Sequence, residues 1–223
     1  MSNDVTIILP ALNEEQSIGK VIDDIRNAGY QNIIVIDNDS MDKTQEIAVK
    51  HGAVVINETN RGKGNAIRNG KSHIETPYVV MMDSDFTYPA RYIRDIVELL
   101  QDYDVVIAER HIRSDNSMSL TNLFGNRLIS LFGSILYWYW CPDICTGMWG
   151  FKREVICDCL IKSRHFTLEA ELFANARLKK HSIARIPIAY RARAGGRSHI
   201  HVKNGIEIAW YLFKRRFWHG SNR

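Results

Sequence analysis

Four short apolar runs, each followed by a stretch of helical period, constrain the fold of this chain more than any other feature. Residues 5–10, 33–36, 53–56 and 78–82 are rich in valine, isoleucine and methionine and stop abruptly at polar turns. Runs of that length bounded by turns read as strands buried on both faces of a parallel sheet. Between them, Ile18, Val21, Ile22 and Ile25 recur at helical spacing. Residues 43–51 and 67–74 continue the helical pattern after the second and third runs. Such alternation over short connections predicts an α/β fold, a doubly wound and mostly parallel sheet with right-handed crossovers.

The second half is less regular. Pro89 suits the first turn of a helix reaching Leu100, and residues 105–108 form another strand. Residues 111–119 read as a polar loop, and 120–140 as an apolar helix with an aromatic end, broken at Cys141-Pro142-Asp143. A Gly-flanked strand or loop follows over 146–151, then a helix over 167–180, a strand over 183–190 and a last helix over 202–218. One domain spanning 1–223 fits this order and length. Its parts are a ligand-binding half (about 1–110), an acceptor half (about 111–200) and a tail (about 201–223).

Four cysteines (Cys141, Cys145, Cys157 and Cys159) match no zinc spacing and no dense disulfide framework, so reduced thiols and a cytoplasmic setting are expected. No signal-peptide pattern is visible at the start, and no run reaches the ~18 apolar residues that a membrane span needs. The net charge of +4 is unevenly placed, with nine Lys/Arg against Glu207 alone from Arg185 onward. A basic surface attracts nucleic acid, anionic lipid or phosphorylated ligands alike.

Three Asp-x-Asp pairs occur: Asp37/Asp39, Asp83/Asp85 and Asp102/Asp104. With fourteen aspartates in 223 residues, about one such pair arises by chance, so position must discriminate. Asp102/Asp104 follows a helical pattern and reads as a turn into the next strand. The other two follow strong strands, at the carboxyl edge where open α/β sheets bind ligands. Carboxylates two apart on a turn suit a hard divalent cation, Mg²⁺ or Mn²⁺. Asn13/Glu14, Asp37/Asn38/Asp39, Arg61/Lys63 and Asp83/Asp85 thus collect at consecutive strand ends, where a nucleotide could lie across them. The Gly62-Lys63-Gly64 turn and the helix it opens could face a phosphate.

The segments ILPALNEEQSIGKVI, VIDNDSMDKT, NRGKGNAIRNG and VVMMDSDFTYP resemble successive motifs of the family-2 glycosyltransferases of GT-A fold, whose nucleotide-binding half is Rossmann-like. AERHIR, GNRLISLFGSIL, DICTGMWGFKRE, FTLEAELFANA and IPIAYRARAGGRSHI are similar to dolichyl-phosphate mannose synthases and archaeal dolichyl-phosphate hexosyltransferases. The resemblance is collinear over about residues 5–215. It implies nucleotide-sugar binding at Pro10, Leu12, Glu14, Ile36, Asp37 and Asn38, joined by Lys63 and Asp83. It implies metal at Asp83 and Asp85, with Asp85 the firmer ligand, and an acceptor phosphate held by Arg110, Arg127, Arg193 and His199. Asp143 matches the acid of a D-x-x-[ST]-G element completed by Thr146 and Gly147, and the implied catalytic set is Asp85, Arg110, Arg127 and Asp143.

Relative to mannose synthases the chain has Asn38 for Asp and Thr87 for Gln, which favours a UDP-sugar donor over GDP-mannose, and His199 for Lys, which weakens the permanent positive charge near the acceptor. The implied reaction transfers glucose, N-acetylglucosamine or mannose, with inversion, to dolichyl or another polyprenyl phosphate for protein N-glycosylation. A phosphate acceptor is already anionic and needs no general base, whereas a hydroxyl acceptor would need one, with Asp143 or Glu169 as candidates.

In the tail, Ile206, Ala209, Trp210, Phe213, Phe217 and Trp218 form an apolar stripe with Lys203, Lys214, Arg215 and Arg216 near the helix ends. A basic, tryptophan-bearing amphipathic helix can lie in a membrane interface, which makes the expected enzyme peripheral on the cytoplasmic face. The competing readings are a transferase with a soluble sugar or protein acceptor, and an inactive basic module that binds membrane or nucleic acid. No recognised nucleic-acid motif is present, so no nucleic-acid partner is expected.

Overall fold

Among the described residues, seven strands form one sheet in the order β3-β2-β1-β4-β6-β5-β7. The structure, a computed structural model, describes residues 2–113, 120–163, 167–194 and 202–218. β1 (Val5–Ala11), β2 (Ile33–Asp37), β3 (Val54–Asn57) and β4 (Tyr78–Met81) lie parallel. α1 (Ile18–Asn27), α2 (Thr44–Lys50) and α3 (Lys63–Gly70) alternate with them as the sequence predicts. Alternate residues of each strand face opposite layers. Ile7, Leu9, Val35 and Val80 pack under α1 and α4 (Ile93–Leu99). Ile8, Ile34, Ile36, Val79 and Met81 pack under α3 and α7 (Leu168–Leu178). Burial on both faces explains why these strands read as unbroken apolar runs.

The second half departs from the expectation in several places. β6 (Trp149–Lys152) inserts antiparallel between β4 and β5 (Val105–Arg113), so the sheet is mixed. β5 does not end at Ala108 but continues through His111 to Arg113, paired in parallel with β7 (Ile183–Tyr190) across a register shift between Arg110 and Ile112. The loop expected over 111–119 therefore begins later; residues 114–119 lie outside the described residues. A five-residue helix, α6 (Arg153–Cys157), follows β6 directly. Asp104 has the structural role read for its pair: its carboxylate accepts from Ser182 N (2.9 Å) and Lys152 Nζ (3.2 Å), tying the start of β5 to its two neighbours.

α5 (Leu120–Leu136) ends before Trp138, which takes a left-handed φ of 52°, so the helix stops short of the predicted Trp140. α8 (Val202–Phe217) packs on α5 and α7 rather than on the sheet. Its inward face is Ile208 and Leu212, with Tyr137 Oη donating to Leu212 O (3.0 Å) and Arg215 donating to Asn175 Oδ1 (2.9 Å). Arg215 thus faces the protein, not solvent. Ile206, Trp210, Phe213, Phe217 and Trp218 stay exposed, as do Phe124, Leu128 and Ile135 of α5.

Candidate functional site

Parallel pairing brings the carboxyl ends of β1, β2 and β4 to one edge, with Ala11 opposite Asp37 and Ile8 opposite Met81. The turns leaving those strands contain Asn13, Asp39 and Phe86, all in left-handed backbone (φ 55°, 67° and 69°). Such non-glycine strain persists where surrounding contacts fix it, and it clusters at functional sites.

At the β2 end, Asp37 is buried. Its Oδ2 accepts from Ser40 N (3.3 Å), and its buried Oδ1 has no hydrogen-bond partner among the described residues. A buried carboxylate oxygen without a partner is unusual and marks Asp37 as a candidate ligand contact. Asn38 plays another part. Its amide donates to Glu58 O (3.0 Å) and Asn60 O (2.9 Å), and its Oδ1 accepts from Gly62 N (2.5 Å). These hydrogen bonds all go to the loop before α3, so the side chain shapes that loop. Gly62 sits at φ 128°, a conformation that L side chains rarely adopt. Ile36 is core, Leu12 is 41% exposed, and Pro10 O accepts from Ser84 Oγ (2.8 Å). Arg61 pairs with Asp39 (3.0 Å) at the surface.

Lys63 does not reach out to open space for a phosphate. Its ammonium bridges Asp83 Oδ1 and Glu169 Oε1, each at 2.5 Å. Burial would push the Lys63 ammonium down, but the two carboxylates outweigh it and hold it above the usual lysine range. On its other side Asp83 lies against Gly147, where any Cβ would overlap the carboxylate. Asp83 is therefore fixed by α3, α7 and the turn before β6.

Asp85 is almost fully buried. Its Oδ1 accepts from Thr87 N (3.1 Å) and Thr87 Oγ1 (2.5 Å), and its Oδ2 meets Arg193 Nη2 at 2.7 Å. Arg193 Nη1 also approaches Glu14 Oε1 at 3.6 Å. Burial and the neighbouring Asp83 charge raise the Asp85 carboxyl, while Arg193 and Thr87 oppose the shift. Burial likewise raises Glu14, against its hydrogen bond from Ser17 Oγ (2.6 Å).

Arg110 and Asp143, expected at the acceptor and in the D-x-x-[ST]-G element, are brought together as a buried fork. Arg110 Nε donates to Oδ2 (2.7 Å) and Nη2 to Oδ1 (2.5 Å). Arg110 also lies over the Tyr190 ring, 5.3 Å from its centroid. Thr146 Oγ1 donates to Ala108 O (2.6 Å) and Gly147 N to Tyr88 Oη (2.6 Å), locking the element onto β5. Arg127 is exposed on α5 and makes no ion pair among the described residues. His199 lies outside them. Tyr88 and Tyr190, which stack edge to face at 5.2 Å beside this cluster, carry no sequence signal beyond an aromatic in a turn and one at a strand end.

Among the described residues no three His, Cys, Asp or Glu side chains converge on a metal position. A divalent cation here would take Asp85 as its protein ligand and oxygens of a bound diphosphate for the rest, the habit of Mg²⁺. The residues fit such a cation, because Asp85 Oδ2 already faces a positive group, the Arg193 guanidinium. Asp83 fits less well, with one oxygen on Lys63 and its carboxylate packed against Gly147.

Residues 6–160 match the model of the family described as glycosyl transferase family 2. A dolichyl-phosphate hexose transferase of Haloferax volcanii is 35% identical over 196 residues, covering 86% of this chain and 85% of that protein. Glycosyltransferase AglJ of the same organism is 34% identical over 195 residues, again 86% of this chain but 64% of AglJ, so the chain spans about two thirds of that relative. A dolichol-phosphate mannosyltransferase of Pyrococcus furiosus is 24% identical over 97% of this chain and 65% of its own length. Among solved structures, glucosyl-3-phosphoglycerate synthase of Mycobacterium tuberculosis in complex with UDP superposes with a TM-score of 0.77 at 21% identity, over 95% of this chain and 79% of that one. The same synthase has been solved with Mn²⁺ and UDP, at a TM-score of 0.76 and 20% identity, over 95% and 79%. These likenesses establish the α/β GT-A fold.

Proposed function

This chain belongs to glycosyl transferase family 2, and on that premise we propose that it transfers a hexose from a nucleotide sugar to a dolichyl or other polyprenyl phosphate, with inversion. The observation that carries the reading is the state of the two acids that could serve a hydroxyl acceptor as general base. Asp143 is forked to Arg110, and Glu169 is held by Lys63. Each is tied up in an ion pair with a neighbouring cation, an arrangement that suits an acceptor bringing its own negative charge. The names of the Haloferax volcanii and Pyrococcus furiosus relatives support the same acceptor.

In this reading the nucleoside lies against β1 and β2, with Asp37 Oδ1 accepting from the base. One open oxygen matches the single ring N–H of uracil better than the paired donors of guanine, which favours UDP-glucose or UDP-N-acetylglucosamine over GDP-mannose. An oxygen of the lipid phosphate attacks the anomeric carbon as the bond from that carbon to the diphosphate breaks, and no proton moves. Asp85 would hold Mg²⁺ or Mn²⁺, which would offset charge on the departing diphosphate. Arg193 and Arg127 are the cations left to face the acceptor phosphate, since Arg110 is committed to the Asp143 carboxylate and to Cys145 O. The lipid-linked sugar would then serve protein N-glycosylation.

The exposed apolar residues of α5 and α8, with Trp138 (86% exposed) and Trp140 beside them and Lys214 near the helix end, suit a membrane interface. Among the described residues no helix is long and apolar enough to cross a membrane. The test is nucleotide release by purified protein with Mn²⁺, a polyprenyl phosphate and a panel of UDP- and GDP-sugars. Release should require the lipid phosphate and vanish in Asp85→Ala. Release driven instead by a water-soluble sugar or protein would support the hydroxyl-acceptor reading. Salt-sensitive RNA or vesicle binding with no nucleotide-sugar affinity would support an inactive basic module.

A further inference from the structure

We propose that Arg193 is the resident counter-cation of Asp85, displaced when a divalent metal and nucleoside diphosphate arrive, and that this exchange releases its guanidinium to the acceptor phosphate. The second half rests on the transfer reading above; the first half does not.

Asp85 is 2% exposed, and Thr87 takes one of its oxygens through two hydrogen bonds. The other oxygen has Arg193 as its partner, at 2.7 Å. Glu14 approaches the same guanidinium at 3.6 Å, so one cation serves two acids. A buried carboxylate stripped of its cation is strongly unfavourable, which accounts for the Arg193 guanidinium on Asp85. A metal ion on Asp85 Oδ2 and a guanidinium on the same atom would bring two positive groups into contact. Binding one therefore weakens the other, and the coupling is reciprocal.

The surroundings make Arg193 the cation that can leave. Lys63 is pinned between two carboxylates, and the Arg110 side chain is 4% exposed in its fork. The Arg193 side chain is 33% exposed. Its backbone belongs to a short strap after β7, held to the turn beneath it by Arg191 N to Thr87 O (2.9 Å) and Ala194 N to Asp85 O (3.3 Å). A second anchor joins Arg191 to Asp24 (3.1 Å), and the Arg191 guanidinium lies over Phe86 at 4.7 Å. The strap can stay in place while the Arg193 side chain swings off Asp85. Released from Asp85, the guanidinium offers the fork of donors that a phosphate takes.

Two titrations test this. In the first, Mn²⁺ is titrated into protein without nucleotide sugar or lipid, and free Mn²⁺ is read by electron paramagnetic resonance. Arg193→Gln should bind Mn²⁺ about fivefold or more tightly than the native chain, the scale of ordinary coupling between sites. Arg193→Lys, which keeps the charge but loses the fork, should fall between them and carries the comparison if the Gln variant fails to fold. Equal or weaker Mn²⁺ binding in the variants overturns the exchange, whatever the acceptor proves to be. In the second, geranyl phosphate is titrated calorimetrically into the native protein with and without Mn²⁺ and UDP. Tighter binding with them supports the hand-over to the acceptor, and equal or weaker binding overturns it.

Discussion

At the scale of single residues, the site depends on which atoms are engaged, and this separates residues that look equivalent in sequence. Asn38 illustrates it. Both of its amide donors go to carbonyls, so Asn38→Asp would turn a carboxylate toward Glu58 O and Asn60 O. We expect a loss of about 2 kcal/mol in urea denaturation, the scale of leaving buried polar groups unsatisfied, and weaker UDP binding as the Gly62 loop shifts. Unchanged stability would contradict the assigned amide orientation. Lys63 makes a sharper case. Lys63→Ala leaves Asp83 and Glu169 facing each other without a cation and should cost about 3–5 kcal/mol. Glu169→Gln in the Lys63→Ala background should restore part of that, and a double-mutant cycle reads the coupling. Additive losses would show that the bridge contributes little.

The sequence placed Lys63, Asp83, Asp85 and Asp37 at the right strand ends because strand period and turn chemistry are local. It did not place Lys63 on Glu169 or Arg193 on Asp85, since each pair joins residues more than a hundred positions apart and leaves no periodic trace. The fork between Arg110 and Asp143, 33 positions apart, likewise leaves no periodic trace.

At the scale of elements, α5 and α8 divide their apolar residues between packing and exposure. Leu212 is fully buried, while Trp210 and Phe217 are 56% and 62% exposed. Leu212→Ala should therefore cost about 2–5 kcal/mol in thermal or urea unfolding. Trp210→Ser with Phe217→Ser should change stability by only about 0.5 kcal/mol per site yet reduce flotation with anionic vesicles. If the exposed pair unfolds the protein, or vesicle binding is untouched, the division is wrong. The tail stripe was legible as amphipathic, but the seam it packs on was not, because Ile208 and Leu212 are no more hydrophobic than the residues left outside. β6 also escaped, since four residues that include Gly150 carry too little alternation to fix a direction. The continuation of β5 through His111 and Arg113 reads as polar and becomes a strand only through its partner β7.

At the scale of the whole molecule, a seam at Asp104 joins β5, β6 and β7 at the end remote from the site. Burial would raise this carboxyl, but hydrogen bonds from Ser182 and Lys152 hold it below its ordinary value of 3.8. The unfolded chain then binds the proton more tightly than the folded one, so the stabilisation is present above pH 3.8 and is lost as pH falls below it. Asp104→Asn should be less stable than the native chain at pH 7, with the gap closing under acid; a gap independent of pH would contradict the shift. The other end of the sheet is the carboxyl edge, where the proposed nucleotide site, two engaged acids and Arg193 meet.

The most direct test of the central claim is the destination of the sugar. Purified protein is incubated with Mn²⁺, a radiolabelled UDP-hexose or GDP-mannose, and a polyprenyl phosphate, and the label is partitioned between water and an organic phase. Label should enter the organic phase only with the lipid phosphate present, and not in Asp85→Ala. Label that stays in water with every donor, or appears on a water-soluble acceptor without the lipid, would contradict the account.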